Sequence, residues 1–163
     1  MLEDAERIAP MYADPEVMWF IGGIRPERTP EQVVAGWLER WELNGFGQLV
    51  VEDREAGELL GRTGLVVWDT REWRISSLPE AGTYAQPELG WAFARAAWGH
   101  GYATEAGLAV REWAHDLGIA RLISVIAPDN ARSQRVAEKL GCTPGETVHL
   151  WDTGSAVIWE HPR

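Results

Sequence analysis

A chain of 163 residues with 45% apolar and 25% charged positions has material for one domain and a core of its own. Its formal charge is −10, and no stretch forms the basic patch that phosphate backbones require, which argues against a nucleic-acid partner. No apolar run approaches the ~18 residues of a membrane span, MLEDAERIAP lacks a signal core, and Cys142 is the only cysteine, so a cytoplasmic protein without an intrachain disulfide is expected.

Ten tryptophans are the compositional outlier, and they fit either core packing or an aromatic-lined cleft. Taken in order, residues 2–13 read as a helix that Pro10 ends or kinks, and Asp14-Pro15-Glu16 restarts it as an N-cap followed by proline. Thr29-Pro30-Glu31-Gln32 is a capping-box start, and Val33, Val34, Trp37, Leu38 and Trp41 trace one face of the next helix, which Asn44-Gly45 ends. Strands are expected at about 47–53 and 58–68 around a turn at 55–57, then an irregular loop over 69–82 and a long strand at 83–94.

Residues 89–107 organise the chain. Leu89, Trp91 and Phe93 alternate with Gly90 and Ala92 as a strand, and Trp98-Gly99-His100-Gly101-Tyr102-Ala103 follows as a small-residue turn. A helix then runs from about Tyr102 to Leu117 and stops at Gly118. A glycine-preceded helix start presents N–H groups without intrahelical partners, together with a partial positive charge, and so seats phosphate oxygens. The apolar run Leu122–Ala127 is a further strand, Pro128-Asp129-Asn130 opens a helix ending at Gly141, and 142–151 with 155–160 read as a hairpin turning near 152–154.

WGHGYATEA (98–106) followed by PDNARSQRVAEKLGC (128–142) resembles the GNAT superfamily of acyl-CoA-dependent N-acetyltransferases, with closest likeness to the ribosomal-protein N-terminal acetyltransferases. The resemblance covers roughly Asp4 to Trp159. It implies an α/β (α+β) GNAT fold: a central mixed, mostly antiparallel twisted sheet, split between two parallel strands and flanked by helices. The strand that normally precedes the family's first helix is not found, leaving either a misplaced start or an absent edge strand, which would expose the strand near 47–53 to pairing.

The resemblance also implies acetyl-CoA as co-substrate, with its pyrophosphate on 98–103 and its pantetheine arm along 88–94. The cofactor-binding residues are then Trp91, Phe93, Ala94, Arg95, Trp98, Gly99, His100, Gly101, Tyr102, Ala103, Asn130, Ser133 and Arg135. Acetyl transfer needs a neutral amine, and Glu88, on the central strand beside the expected thioester, is the candidate base, otherwise a solvated carboxylate paired with an arginine. Backbone N–H groups near Leu89 to Trp91 are the candidate oxyanion donors. The tyrosine many family members place on the second helix is here Ala137, which leaves Ser133 as the substitute acid or as an ordinary first-turn residue. Trp19, Phe20 and Glu88 are assigned to the acceptor, with Trp68, Trp73 and Tyr84 as further walls.

Cys142 reads as a small buried hydrophobe, and no His, Cys and carboxylate spacing marks a metal site. The expectation is an acetyltransferase, a homodimer by family habit, acting on a protein N-terminus or a small amine in a ternary complex. Two alternatives stay open: a non-catalytic acyl-CoA-binding sensor, and a generic nucleotide-binding α/β protein.

Overall fold

A computed structural model describes residues 3–150 and 154–163. Its helices are α1 (Asp4–Tyr12), α2 (Pro15–Met18), α3 (Pro30–Asn44), α4 (Leu78–Ala81), α5 (Tyr102–Asp116) and α6 (Ala131–Lys139). Its strands are β1 (Gln48–Glu52), β2 (Leu59–Asp69), β3 (Arg74–Ser76), β4 (Ala85–Phe93), β5 (Ile123–Ile126), β6 (Thr143–Leu150) and β7 (Gly154–Glu160). They form one mixed sheet in the order β1-β2-β4-β5-β7-β6, with β3 on the same edge of β2 as β1. Every pairing is antiparallel except β4 with β5. Among the described residues β1 is an edge strand, with no strand ahead of α1. No described helix is long and apolar enough to cross a membrane.

Local signals set most boundaries. The Asp14 carboxylate accepts from the Glu16 N–H at 2.9 Å, Thr29 and Gln32 close a reciprocal capping box, and Gly45 ends α3 at φ +73°. α5 is held over β2 and β4 by Val110 and Ala114 against Leu65, Val67 and Leu89. α6 packs beside it through Leu140, and Gly107 lets the two helices meet, since a Cβ there would stand 3.1 Å from Leu140. Ile8 and Ala5 of α1 lock onto Val33 and Val34 of α3.

Three expectations are corrected. Pro10 does not end the first helix but lies inside α1, because Ile8 and Met11 are buried on either side of it and tertiary packing outweighs one missing backbone bond. The stretch 69–82 is not irregular: β3 pairs with Val67–Asp69, and Ser77 caps α4 through the Glu80 N–H. Three- and four-residue elements are too short to show a period. Leu38 is exposed rather than on the buried face of α3, whereas Trp41 is anchored by stacking on Trp113 at 5.6 Å and by its indole N–H donating to the Gln48 carbonyl. The expected hairpin is present as β6 and β7; of the turn expected near 152–154, residues 152 and 153 lie outside the described residues.

Candidate active site

The site grows from the place where β4 and β5 part. Their ladder has a single registered pair, Glu88 with Ile123. Continued in parallel register, the next bond would join the Val125 N–H to the Leu89 carbonyl. Neither group makes it. The Val125 N–H donates to Glu88 Oε1 at 3.1 Å, and the Leu89 carbonyl accepts from the Ser124 hydroxyl at 2.6 Å. Two side chains thus replace one ladder bond, so the strands separate without orphaning a buried backbone group. The Gly90 carbonyl, by contrast, faces β2, where it accepts from the Thr63 hydroxyl at 3.0 Å. Strand alternation then turns the Trp91 N–H, like Leu89, toward the split.

Glu88 is buried, not the solvated strand-end carboxylate of the alternative reading, and among the described residues no arginine hydrogen-bonds to it, although the Arg62 charge acts on it. Its second oxygen accepts the indole N–H of Trp68. Burial pushes its pKa up to about 7, against the downward pull of the Trp68 and Val125 donors and of the Arg62 charge. A carboxyl group that gains and loses its proton near neutrality suits general-base work. Behind the split, Ser124 also meets His161 Nε2 at 2.9 Å. Since the serine proton goes to Leu89, the imidazole donates from Nε2, and desolvation holds His161 down at about 4, in its neutral form.

At one end of the split lies the 98–103 turn. Gly99 and Gly101 stand at φ +83° and +89°, with nothing within 4 Å of where a Cβ would project. The Thr104 and Glu105 N–H groups return to the Gly101 carbonyl, whereas those of Gly99 to Ala103 donate to no carbonyl among the described residues. Five adjacent donors beside open space at the start of a 15-residue helix form a cradle for phosphate oxygens. Trp98 is fastened below it, its indole N–H donating to the Phe93 carbonyl at 2.8 Å and its ring lying 4.1 Å under the Arg132 guanidinium. Phe93 is buried, and the Ala94 N–H is taken by the Leu60 carbonyl. The rings of His100 and Tyr102 lie 5.8 Å apart.

Arg95 is not waiting for phosphate; it pairs with Asp14 at 2.6 Å and Glu16 at 3.4 Å, and Glu16 also holds Arg132 at 2.7 Å. These pairs tie α2 and its cap to the segment just ahead of the turn and to α6. Arg135 is exposed beside a smaller cavity of about 300 Å³ that Trp19 also lines.

At the other end, the split opens into a cavity of about 1200 Å³. Glu88, Gly90, Trp91, Asn130, Ser133, Phe20 and Trp68 all line it. Asn130 caps α6 by accepting from the Ser133 N–H at 3.1 Å, leaving the half-buried Ser133 hydroxyl without a partner among the described residues. Ala137 is fully buried in the α6 core and offers no acid. Three of the expected acceptor walls are corrected. Trp19 points outward with 75% of its surface exposed, Tyr84 lies out on the surface under Arg71, and Trp73 only backs Trp68 from 6.2 Å. Sequence reasoning passed over Tyr12, Gln48, Arg62 and Ser124, although an arginine in the middle of the mostly apolar strand LLGRTGLVVWD was a visible signal. Cys142 is buried and its thiol pushed up to about 11, which removes it as a nucleophile. No group of three or more His, Cys, Asp or Glu suited to a metal occurs among the described residues.

A mixed sheet parted between its two parallel strands, with a main-chain phosphate cradle at one end of the gap and a buried carboxyl group inside it, defines the GNAT class of acyl-CoA-dependent transferases. Comparison with known proteins agrees: the family model described as acetyltransferase (GNAT) domain matches residues 1–143. This chain belongs to that family. It is 31% identical over 149 residues to the uncharacterized protein YkkB of Bacillus subtilis, spanning 90% of this chain and 80% of that one. The crystal structure of an acetyltransferase from Agrobacterium tumefaciens is 29% identical, with a TM-score of 0.76 over 99% of this chain and 87% of the other. An aminoglycoside acetyltransferase in complex with coenzyme A shares the fold at 16% identity and a TM-score of 0.78, over 100% and 91% of the two chains. Ribosomal-protein acetyltransferases also share the fold, at 16% and 21% identity, which speaks to architecture and not to kinship within the family.

Proposed function

We propose that this protein transfers the acetyl group of acetyl-CoA to a primary amine by direct attack, with both substrates bound together. The observation that carries the reading is the run of unpaired N–H groups from Gly99 to Ala103 at the end of a split sheet. Backbone donors of Gly99, His100, Gly101, Tyr102 and Ala103 would hold the pyrophosphate, and the edge of β4 beyond Trp91, at Phe93, would take the pantetheine amides, with Asn130 opposite. The thioester supplies an activated acetyl group.

The remaining chemistry belongs to the chain. Glu88 accepts the proton of the incoming amine, for which its raised pKa suits it near neutral pH. The Trp91 N–H, facing the gap, stabilises negative charge on the carbonyl oxygen. Ser133 donates its unpaired hydroxyl to the departing sulfur. The family habit of dimerisation is part of the same reading.

Thiol release from acetyl-CoA across a panel of amines tests it. Turnover that falls at least a hundredfold in Glu88→Gln, with acetyl-CoA affinity unchanged, is the expected outcome. The buried Ala137, where relatives place an acid, favours a second reading, an acyl-CoA sensor. Tight acetyl-CoA binding with no turnover on any amine would establish that one instead.

A further inference from the structure

If the transferase reading holds, the far end of the cavity states which amines it accepts. The chain carries a formal charge of −10, yet five arginines line this cavity against three glutamates. Arg74 is engaged by Glu72 and Glu80. Arg62 is different. Its Nε donates to the Tyr12 hydroxyl at 3.0 Å and its Nη1 to Gln48 Oε1 at 2.7 Å, both uncharged, and no carboxylate among the described residues forms an ion pair with it. A guanidinium fixed by two neutral acceptors keeps its charge and its outer N–H groups for a ligand. Gln48 is 8% exposed, lines the same cavity, and its buried Nε2 has no acceptor. Two neighbouring donor groups therefore lack the anion or carbonyl oxygen that would satisfy them.

The sheet register sets where that anion would sit. Arg62, Gly64 and Val66 stand opposite Ala92, Gly90 and Glu88, and Gln48 stands opposite Gly64. Gly90 leaves the cavity lining bare of a side chain between Arg62 on one side and Glu88 on the other. At Gly90 an added Cβ would find only Glu88 Oε1, 3.9 Å away. We propose that the acceptor is an amine that also bears a carboxylate, a free amino acid or a short peptide, with its amine toward Glu88 and its carboxylate on Arg62 and Gln48. Polyamines and other polycations would meet the arginine wall with like charge.

The experiment titrates the CoA-loaded protein by calorimetry with matched pairs: L-leucine and isoamylamine, L-phenylalanine and phenethylamine, L-methionine and 3-(methylthio)propylamine. The dipeptides of each amino acid and spermidine complete the set, and the same set is run for thiol release with acetyl-CoA. The carboxylated member of at least one pair should bind at least tenfold more tightly than its partner; dipeptides against free amino acids separate the two sources. Arg62→Lys should keep part of this preference and Arg62→Met should lose it, through KM more than kcat. The near-isosteric Gln48→Glu, which gives Arg62 an internal carboxylate, should lose it as well, at unchanged acetyl-CoA affinity.

Equal binding within every pair, no binding by any carboxylated member, or tightest binding by spermidine would overturn the proposal. A carboxylate preference in calorimetry without thiol release would uphold the carboxylate site on Arg62 and Gln48 and instead remove the transferase reading.

Discussion

The two ends of the split sheet are made of different material. The cradle at 98–103 is main chain: two glycines at positive φ and five N–H groups without acceptors among the described residues, all from one continuous segment. The large cavity is side chain: Tyr12 from α1, Gln48 from β1, Arg62 and Trp68 from β2, and Glu88 from β4. A site built from backbone tolerates exchange of most of its side chains and fails when a Cβ is added where φ is positive. A site built from converging side chains has the opposite sensitivity, because each group depends on a partner far away in sequence.

The largest effect expected belongs to Glu88. Glu88→Gln should lower kcat about 10²–10³-fold and remove the limb of the pH–rate profile near 7, where the wild type gains activity as the carboxyl group loses its proton. The same variant carries a stability signature. Folded Glu88 keeps its proton up to about 7, whereas an unfolded one loses it near 4.5, so its contribution is complete below 4.5 and is lost as pH rises to 7. His161 runs the other way, contributing above 6.5 and losing that contribution as pH falls through about 4. In the wild type the two oppose each other between 4.5 and 6.5. Glu88→Gln should leave the His161 slope visible, with Tm rising more steeply with pH than in the parent; parallel Tm curves would refute the assignment.

Next comes Ser124→Ala, which leaves the Leu89 carbonyl and the His161 ring without their shared partner. Chemical denaturation should show a loss of about 1–3 kcal/mol, and an unaltered midpoint would mean that the split is held by other contacts. Gly101→Val tests the cradle. The left-handed backbone costs a residue with a Cβ about 1–2 kcal/mol, and acetyl-CoA affinity measured by calorimetry should drop about fivefold to thirtyfold, with acceptor KM unmoved. The smallest effect is expected for Arg132→Ala. Its bond to Glu16 is exposed, and such pairs contribute little (about 0–1 kcal/mol), so acetyl-CoA affinity should change by no more than about twofold. A large drop there would show that phosphate recognition leans on side chains after all, and the contrast between the two ends would collapse.

Much of the architecture was legible from the chain alone. Caps at Asp14, Thr29 and Asn130, stops at Gly45 and Gly118, and the alternation through Leu89, Trp91 and Phe93 are local signals, and local physics honours them. Glu88 was legible as a position but not as an environment: nothing near it in sequence tells that Trp68 and Val125 will donate to it. Arg95 misled in the same way, because its basic charge beside the phosphate turn gives no hint of Asp14, 81 residues earlier.

By itself the sequence determined the turn at 98–103 and the helices and strands that frame it, since capping, glycine φ and strand alternation act over a few residues. Only the tertiary structure decided the parting of β4 from β5, the burial that raises Glu88, and the unpaired charge of Arg62. Each of those is set by which groups lie within hydrogen-bond reach across the sheet. The order of the strands fixes that reach, and no short window of sequence contains it.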